Sequence, residues 1–436
     1  MKNVSLNRRQ FLKNAAAIAA GSLGFSYLVS DRALGRGDVV AASERIVMGV
    51  IGTGGQGTRH IGGGIWVEGS GFLNKPDVQL VAVCDVNAKN RQHARDIVNK
   101  YYGNNDCAEY TDFQDLLARE DINAVLIATG DRWHPLVSIA AARAGKDIYC
   151  EKPSSVTIEE AIAMAQEVSR CGCVYQVGTQ QRSSREFRFA CELVRNGYIG
   201  KVTKVTVGVS GAPAYATCDL PAESVPSWLY YNMWLGPIPW RPYNRGFVNG
   251  WMAYRDCSGG EMTNWGAHHF DIAQWGLGMD DSGPVEIIPP DGKEFKVLTY
   301  RYADGVIMVR DPDELKAACG QDNGLMFTGT KGRVAVWRYE VKTWPENLLK
   351  IRLRVDDLHL CQSKNHHDNF LQCVRTRQRP ITDMEIGKRS ITVCHLGNIA
   401  CELRRPLKWD PHIERFAGDG QANRMLSRPY RTPWHL

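Results

Sequence analysis

The stretch IVMGVIGTGGQGTRH, residues 46–60, is a short apolar run that ends in a glycine-rich turn. A buried strand followed by G-x-G-x-x-G and a helix is the pattern of a dinucleotide-binding Rossmann unit. In this pattern Gly52 allows the tight turn, Gly54 lets the backbone approach a pyrophosphate, and Gly57 lets the helix pack closely on the strand. The stretch therefore predicts a dinucleotide site at the start of the folded chain, with Gln56 in the binding loop.

The next apolar run, VQLVAVCDV at residues 78–86, predicts which dinucleotide binds. Asp85 follows this strand, where a carboxylate can accept hydrogen bonds from ribose hydroxyls and repels a 2′-phosphate. The separation from the glycine motif is longer than the usual ~20 residues. A glycine-rich insertion at residues 62–77 accounts for the difference. We therefore predict NAD as the cofactor and regard NADP as less favoured.

Apolar runs alternate with helical patterns up to about residue 177, which predicts βαβ units and a parallel sheet. Beyond that point the alternating runs are typical of a mainly antiparallel sheet, and they lie at residues 201–211, 294–311, 324–341 and 348–355. We predict an α/β protein with a Rossmann domain at 43–177. An α+β substrate-binding domain with a mainly antiparallel open sheet and a C-terminal tail follows at 178–436.

The leader, residues 1–42, predicts export. Arg8 and Arg9 precede Phe11 and an alanine-rich stretch, which resembles a twin-arginine (Tat) signal peptide. Asn7 stands where serine or threonine is usual, and an amphipathic first helix is the alternative. Cleavage is expected after residue 35 or near residues 41–42. We therefore expect a periplasmic protein that is exported already folded.

Composition excludes several function classes. The 436 residues predict two domains, and the net charge of +6 comes without basic runs interleaved with aromatics, so no nucleic-acid partner is predicted. No apolar run approaches twenty residues, and no cysteine follows the leader's apolar stretch, so no membrane anchor is predicted. The thirteen cysteines form no C-x-x-C pair and several stand in apolar runs, which favours buried thiols. The clusters at 268–271 and 366–368 lack His-x-x-x-His spacing, so no metal is predicted.

The run DIYCEKP, residues 147–153, places a lysine at the end of a predicted strand. In doubly wound sheets this edge faces the ligand crevice. Lys152 can hold a substrate hydroxyl and stabilise the alkoxide that forms as hydride leaves. A solvated lysine is the alternative, and the residue alone does not decide between them.

Three motifs resemble the glucose–fructose oxidoreductase / inositol dehydrogenase (Gfo/Idh/MocA) family. They are GVIGTGGQG at 49–57, ATGDRWHPLVSIAAARAGKDIYCEKP at 128–153 and GGEMTNWGAHHFDIAQW at 259–275. The stretch YNMWLGPIPWRPY at 231–243 resembles secreted members. The resemblance implies that Lys152 is the catalytic lysine and that the cofactor site also includes Thr129, Asp131, His134 and Glu151. It also implies a substrate site that contains Arg182, His269 and Asp271.

The third motif predicts a helix from about Met262, which places Asn264, His268 and Asp271 on one face. In the family pattern an aspartate precedes the catalytic histidine by four residues. His268 then matches the general base, and Asn264 takes the aspartate's place in the catalytic set. An amide oxygen can orient an imidazole N–H, but it cannot stabilise an imidazolium by charge.

The predicted activity is oxidation of a secondary carbinol of a sugar or cyclitol. Because a periplasm supplies no free dinucleotide, the cofactor must be bound tightly and restored within the site. A redox-neutral NAD-dependent glycoside hydrolase of the same family is the first alternative, and a non-catalytic sugar-binding protein is the second. Trp240 is either a sugar-stacking residue or a core residue. The resemblance also implies a homo-oligomer, a dimer or a tetramer.

Overall fold

The computed structural model describes residues 40–64, 70–211, 216 and 219–436. Residues 46–436 form one compact unit, and the short stretch ahead of it contains a 3₁₀ turn at Ala42–Glu44. Residues 1–39, with the paired arginines and one predicted cleavage position, lie outside the described residues. None of the helices in the described part of the chain combines the length and the apolar character that a membrane span requires.

The first sheet is parallel and has six strands in the order β3-β2-β1-β4-β5-β6. Its strands are β1 Ile46–Ile51, β2 Val78–Cys84, β3 Ala108–Tyr110, β4 Ala124–Ile127, β5 Asp147–Cys150 and β6 Tyr175–Val177. Its helices are α1 Gly55–Gly62, α2 Ala88–Tyr102, α3 Phe113–Leu117, α4 His134–Arg143 and α5 Ile158–Cys171. The strand order reverses between β1 and β4, and this is where doubly wound sheets open a ligand crevice.

Side-chain caps fix the first residues of the helices that follow the strands at this crevice. The Asn87 side chain accepts from two backbone N–H groups and begins α2 directly after the strand end that carries Asp85. Thr157 and Glu160 form the reciprocal capping box of α5. Both caps fix where the chain leaves the carboxyl edge of the sheet.

The second sheet has nine strands in the order β13-β12-β11-β7-β10-β9-β8-β14-β15. Among its pairs, β7 and β10 are parallel and the others are antiparallel. Its strands are β7 Val202–Gly208, β8 Glu286–Ile288, β9 Leu298–Arg301, β10 Ile307–Arg310, β11 Gly324–Gly329, β12 Arg333–Trp337, β13 Glu340–Trp344, β14 Leu407–Asp410 and β15 Arg415–Phe416. The predicted fold class, a Rossmann unit followed by a mainly antiparallel sheet, is confirmed.

Helices pack against one another and against this sheet, with α6, α10 and α13 at the centre of the packing. The helices of this part are α6 Arg185–Arg195, α7 Tyr231–Leu235, α8 Arg245–Asn249, α9 Glu261–Asn264, α10 Gly266–Leu277, α11 Pro312–Cys319, α12 His366–Thr376, α13 Met384–Leu403 and α14 Gly420–Arg424. Helix α10 runs from the crevice of the first sheet into this core. His268 lies near its start and Trp275 lies near its buried end.

The strand predicted at residues 348–355 is wrong. The segment begins as a 3₁₀ helix, Glu346–Lys350, and continues without regular structure. Its backbone groups bond locally: the Ile351 N–H donates to the Leu348 carbonyl and the Arg354 N–H donates to the Asp357 carboxylate. Val355 is 99% exposed, so the alternating pattern has no buried face to occupy.

Candidate active site

The glycine turn forms a cradle that only glycine can supply. Gly52 has a φ of +88°, and a Cβ there would lie 2.5 Å from the Ala128 carbonyl carbon. A Cβ on Gly57 would lie 2.0 Å from the Gly52 oxygen. The open side of the turn, with Gly54 and Gln56, faces a cleft of about 380 Å³. The residues present therefore fit a dinucleotide pyrophosphate above the start of α1.

Asp85 lines the same cleft at the end of β2. One carboxylate oxygen accepts from the Thr53 backbone N–H at 2.8 Å, and the other accepts from the Asn87 backbone N–H at 2.8 Å. Burial raises the pKa of Asp85, and these backbone donors oppose that rise. The first of these oxygens also accepts from Thr53 Oγ1 at 3.1 Å, so Asp85 ties the glycine turn to the end of β2, and the second oxygen keeps one lone pair that can accept a ribose hydroxyl.

A second cavity, of about 540 Å³, adjoins the cleft on the side of β4 and β5. We call it the reaction cavity. The two cavities adjoin, because they have four lining residues in common: Gln56, Ala128, Thr129 and Trp251. The predicted site residues that line the reaction cavity are Gln56, Thr129, Asp131, Glu151, Lys152, Asn264 and His268.

Lys152 is held by Asn264. Its ammonium nitrogen donates to Asn264 Oδ1 at 2.6 Å and to the Asn264 backbone oxygen at 3.2 Å. The backbone oxygen faces Lys152 where the helix is interrupted at Trp265, because the His268 N–H donates to the Trp265 carbonyl at 3.0 Å. The continuous helix predicted from Met262 is therefore wrong at this residue. The partner predicted for Asn264 is also wrong: its amide oxygen contacts Lys152 and not the imidazole of His268.

His268 lies buried in the wall of the reaction cavity. Its Nδ1 has no hydrogen-bond partner among the described residues. Burial lowers the pKa of His268 well below its ordinary value, and the charges of Lys152 and Arg338 lower it further. The imidazole is therefore neutral over the physiological range and can accept a proton.

Glu151 forms a fixed anion beneath Lys152. Its Oε1 accepts from His60 Nε2 at 2.6 Å and from Gln180 Nε2 at 2.9 Å, and its Oε2 accepts from the Lys152 backbone N–H at 3.1 Å. Burial opposes ionisation, but the hydrogen bond from His60 and the charge of Lys152 outweigh it and lower the pKa of Glu151.

His60 is itself supported from below. His367 Nδ1 accepts from the Gly71 backbone N–H at 3.1 Å, so its proton lies on Nε2, which donates to His60 Nδ1 at 2.7 Å. Each group thus donates to the next: the Gly71 N–H donates to His367, His367 donates to His60, and His60 donates to the Glu151 carboxylate. The sequence motifs did not indicate this chain of hydrogen bonds.

Asp131 and His134 occupy different layers. Asp131 lines the reaction cavity and accepts from Ser258 Oγ at 2.7 Å, and burial raises its pKa. His134 is buried behind the cavity, where its ring nitrogens lie 2.7 Å from the Pro153 oxygen and 3.1 Å from the Thr129 oxygen. His134 therefore braces the two strand ends and does not line the site.

The structure does not bring the predicted substrate residues to the reaction cavity. Arg182 is 1% exposed and is paired with Asp271 at 2.8 Å and with Asp280 at 2.7 Å. His269 lies with Nε2 2.6 Å from Asn323 Oδ1 and stacks on Trp265. Trp240 is 66% exposed. The predicted substrate role of these residues is corrected to a buried ion pair for Arg182 and Asp271, a packed imidazole for His269 and a surface position for Trp240.

Other cavity residues escaped the sequence reasoning. Arg338 comes from the end of β12, and its guanidinium lies 4.7 Å from the Trp265 ring centroid. Gln180 follows β6, and Trp251 and Met252 come from the irregular region before α9. Only Gln180 had a sequence signal, since it follows a predicted strand of the parallel sheet.

Among the described residues no three His, Cys, Asp or Glu side chains are grouped to hold a metal.

Comparisons with known proteins agree with this architecture. Residues 46–179 match the oxidoreductase family's NAD-binding Rossmann fold, and residues 186–436 match its C-terminal alpha/beta domain. The myo-inositol 2-dehydrogenase of Thermotoga maritima is 25% identical over 325 residues, which cover 70% of this chain and 85% of the relative.

A glycosyl hydrolase family 109 protein of Saccharopolyspora erythraea is 30% identical over 225 residues, which cover 48% of this chain and 45% of the relative. The WlbA dehydrogenase of Bordetella pertussis, solved in complex with NADH and UDP-GlcNAcA, superposes with a TM-score of 0.56 at 18% identity and covers 84% of this chain and 99% of its own. The chain belongs to the Gfo/Idh/MocA oxidoreductase family and uses NAD through its Rossmann domain.

Proposed function

We propose that this protein oxidises a secondary carbinol of a sugar or cyclitol with a tightly bound NAD. One observation carries the proposal. The ammonium of Lys152 and the imidazole of His268 line one cavity at the carboxyl edge of the parallel sheet, and that cavity adjoins the dinucleotide cleft. A proton acceptor and a fixed cation beside a nicotinamide site are the groups that carbinol oxidation needs.

Each residue has a separate role in this chemistry. His268 is neutral because of its lowered pKa and accepts the hydroxyl proton. Lys152 is held by neutral oxygens of Asn264, so no anion at that residue offsets its charge, and it stabilises the alkoxide oxygen. Glu151, ionised beneath them, fixes the Lys152 backbone. When bound, NAD supplies the acceptor for the hydride from the same carbon.

We also propose that the protein is exported folded to the periplasm by the twin-arginine route, with its cofactor already in place. The leader pattern at residues 1–42 supports this. The described cysteines are all free and most are buried, as expected of a chain that folds in a reducing compartment before export. A second substrate, or the first one on its return, then restores the cofactor inside the site.

A redox-neutral glycoside hydrolase is the second candidate, and the similarity to a glycosyl hydrolase family 109 protein favours it. In that reaction the carbinol is oxidised only transiently, which acidifies the neighbouring C–H, and the glycosidic bond breaks by elimination. Water adds, the hydride returns to carbon, and the net products are free sugar and aglycone.

The test uses the holoenzyme as purified. Mass spectrometry after denaturation identifies the released dinucleotide. Sugars, cyclitols and glycosides are then mixed singly with the holoenzyme while the absorbance of the bound nicotinamide is followed. The proposal predicts that a sugar or cyclitol deuterated at its carbinol carbon reduces the bound NAD and leaves deuterium on it. Release of free sugar from a glycoside without net reduction would favour the hydrolase, and no response to any compound would exclude both.

Export is tested separately with Arg8→Lys combined with Arg9→Lys. The expected result is retention of the variant in the cytoplasm, whereas the parent is found in the periplasmic fraction. Equal secretion of both, in a strain that lacks the twin-arginine transporter, would contradict the proposed route.

A further inference from the structure

The dinucleotide cleft has a second wall that the Rossmann sheet does not supply. Residues 226–251 of the second domain, which we call the aromatic cover, line the cleft opposite the strand ends with Trp228, Met233, Trp234, Val248 and Trp251. The strand ends that they face belong to β1, β2 and β4, together with Thr111, which follows β3. By the topology of the sheet this is the adenosine side of the cleft.

The aromatic cover is anchored directly beside the ribose-binding strand end. The Ala88 N–H donates to the Trp228 carbonyl at 2.8 Å, and the Tyr230 N–H donates to the Val86 carbonyl at 2.9 Å. These two bonds flank an antiparallel bridge between Asn87 and Leu229. The cover is therefore hydrogen-bonded to the backbone within a few residues of Asp85, and it cannot move away without breaking these bonds.

The cover also has its own core, so it presents a firm surface. Leu235, Ile238 and Phe247 are each 1% exposed or less. The rings of Tyr231 and Trp234 lie nearly parallel, with an interplanar angle of 16°. Because these side chains pack among themselves, the indoles that face the cleft are held in place before any ligand arrives.

A buried cation joins the cover to the first sheet. Arg132, which is 2% exposed, donates through Nε to the Trp234 carbonyl at 3.1 Å, and its guanidinium carbon lies 4.0 Å from the Trp234 ring centroid. Its Nη1 is buried without a hydrogen-bond partner among the described residues. A buried guanidinium N–H requires an acceptor. Arg132 lines the cleft, and phosphate and ribose oxygens are the acceptors that a dinucleotide brings there.

We propose that the aromatic cover and Arg132 form a clasp that encloses the adenosine half of NAD and sets the rate at which NAD leaves. Trp228 and Trp234 supply apolar and aromatic surface. Arg132 supplies an N–H donor whose hydrogen bond the cofactor completes. The inference rests on the proposed retention of NAD and assigns that retention to particular residues. The glycine turn and Asp85 position the cofactor, and the clasp keeps it bound.

The test measures exchange of bound NAD against excess isotopically labelled NAD, by mass spectrometry of filtered and denatured holoenzyme. Trp228→Ala is the test variant, and Trp240→Ala, which removes an exposed indole of the same segment, is the matched control. Exchange is expected to be roughly 10–100-fold faster in Trp228→Ala, because the variant loses apolar contact with the bound cofactor. Trp240→Ala is expected to exchange at the parent rate.

Two further measurements guard against misfolding. Circular dichroism of each variant checks the fold, and Trp228→Leu, which keeps an apolar side chain, should exchange at an intermediate rate. If the parent and both Trp228 variants exchange equally slowly, the clasp is wrong while retention of NAD stands. If the parent itself exchanges within the time of filtration, retention is wrong and the clasp is wrong with it.

Discussion

Two groups of polar side chains meet at helix α10, and they differ in how fully their hydrogen bonds are satisfied. His268, at its cavity end, has an Nδ1 without a partner among the described residues, and the lysine beside it bonds only to neutral oxygens of Asn264. Asp271, one turn further on, accepts two bonds from Arg182, at 2.9 and 2.8 Å, and one from Ser390 at 2.7 Å.

The difference distinguishes side chains that are available to a ligand from side chains that only stabilise the fold. A fully paired buried ion pair has no capacity left for a ligand, and its contribution is to hold elements together. A polar group that is left partly unpaired in a cavity is costly unless a substrate or cofactor completes its bonds. His269 Nδ1 is also buried without a partner among the described residues, but His269 does not line the reaction cavity, whereas His268 and Lys152 do. The first group therefore marks the reaction centre, and the second marks the frame that positions it.

The largest expected effect is on stability, from Asp271→Ala. Removing this carboxylate leaves the Arg182 guanidinium, which is 1% exposed, with only Asp280 as an anionic partner. Breaking a buried pair in this way lowers the free energy of unfolding by about 3–5 kcal/mol. Denaturant unfolding measures the loss, and the folded fraction should transfer hydride at close to the parent rate. Unchanged stability together with a strongly raised KM would instead restore a substrate role.

The second effect is on chemistry, from Lys152→Ala. Losing one preorganised charge donor lowers hydride transfer roughly 10²–10³-fold. Unfolding should hardly change, because the ammonium contacts only Asn264. Rapid-mixing reduction of the bound cofactor gives the rate, and the dinucleotide released on denaturation should match the parent in amount. A normal rate in this variant would remove Lys152 from the mechanism.

The third effect is on cofactor choice, from Asp85→Asn. The amide keeps the shape and an acceptor for the Thr53 N–H but removes the charge. Preference for NAD over NADP should fall by about 1.5–3 kcal/mol, the scale of a hydrogen bond to a charged group. Binding of both dinucleotides to refolded apoprotein measures it. An unchanged preference would show that another residue excludes the 2′-phosphate.

The smallest effect is on the pH profile, from Asn264→Asp. A carboxylate at this residue pairs with Lys152 and offsets the positive charge that depresses the pKa of His268. The pKa of His268 should then rise, which moves the acidic limb of the pH–rate profile to higher pH. Single-turnover rates across pH check this shift. A profile that stays in place would show that the imidazole does not respond to the charge on Lys152.

The features that the sequence predicted are local ones. The glycine turn, Asp85 at a strand end and the Glu151–Lys152 edge all follow from short motifs on a parallel sheet, because the sheet's topology collects strand ends at one crevice. The family resemblance placed Thr129 and Asp131 in the cofactor site, and both line the reaction cavity.

The features that sequence reasoning missed depend on long-range packing. Helical spacing put Asn264 on the face of His268. The interruption of the helix at Trp265 instead turns the Asn264 carbonyl toward Lys152, which lies 112 residues earlier in the chain. The family resemblance placed Arg182 in the substrate site, yet its partner Asp271 stands 89 residues away on α10. The stretch at 231–243 in the aromatic cover resembles secreted family members, but the sequence did not indicate a contact with the cofactor cleft, since that contact depends on which strand end the cover meets.

The most direct test of the central claim compares two adjacent histidines. His268→Gln removes the imidazole that lines the reaction cavity, and His269→Gln removes the one that contacts Asn323 and Trp265. With the deuterated sugar or cyclitol identified by screening, single-turnover reduction of bound NAD should fall roughly 10²–10⁴-fold in His268→Gln, the contribution of a general base. It should stay within a few-fold of the parent in folded His269→Gln. Near-parent reduction in His268→Gln, or equal loss in both variants, would contradict the assignment of His268 as the base.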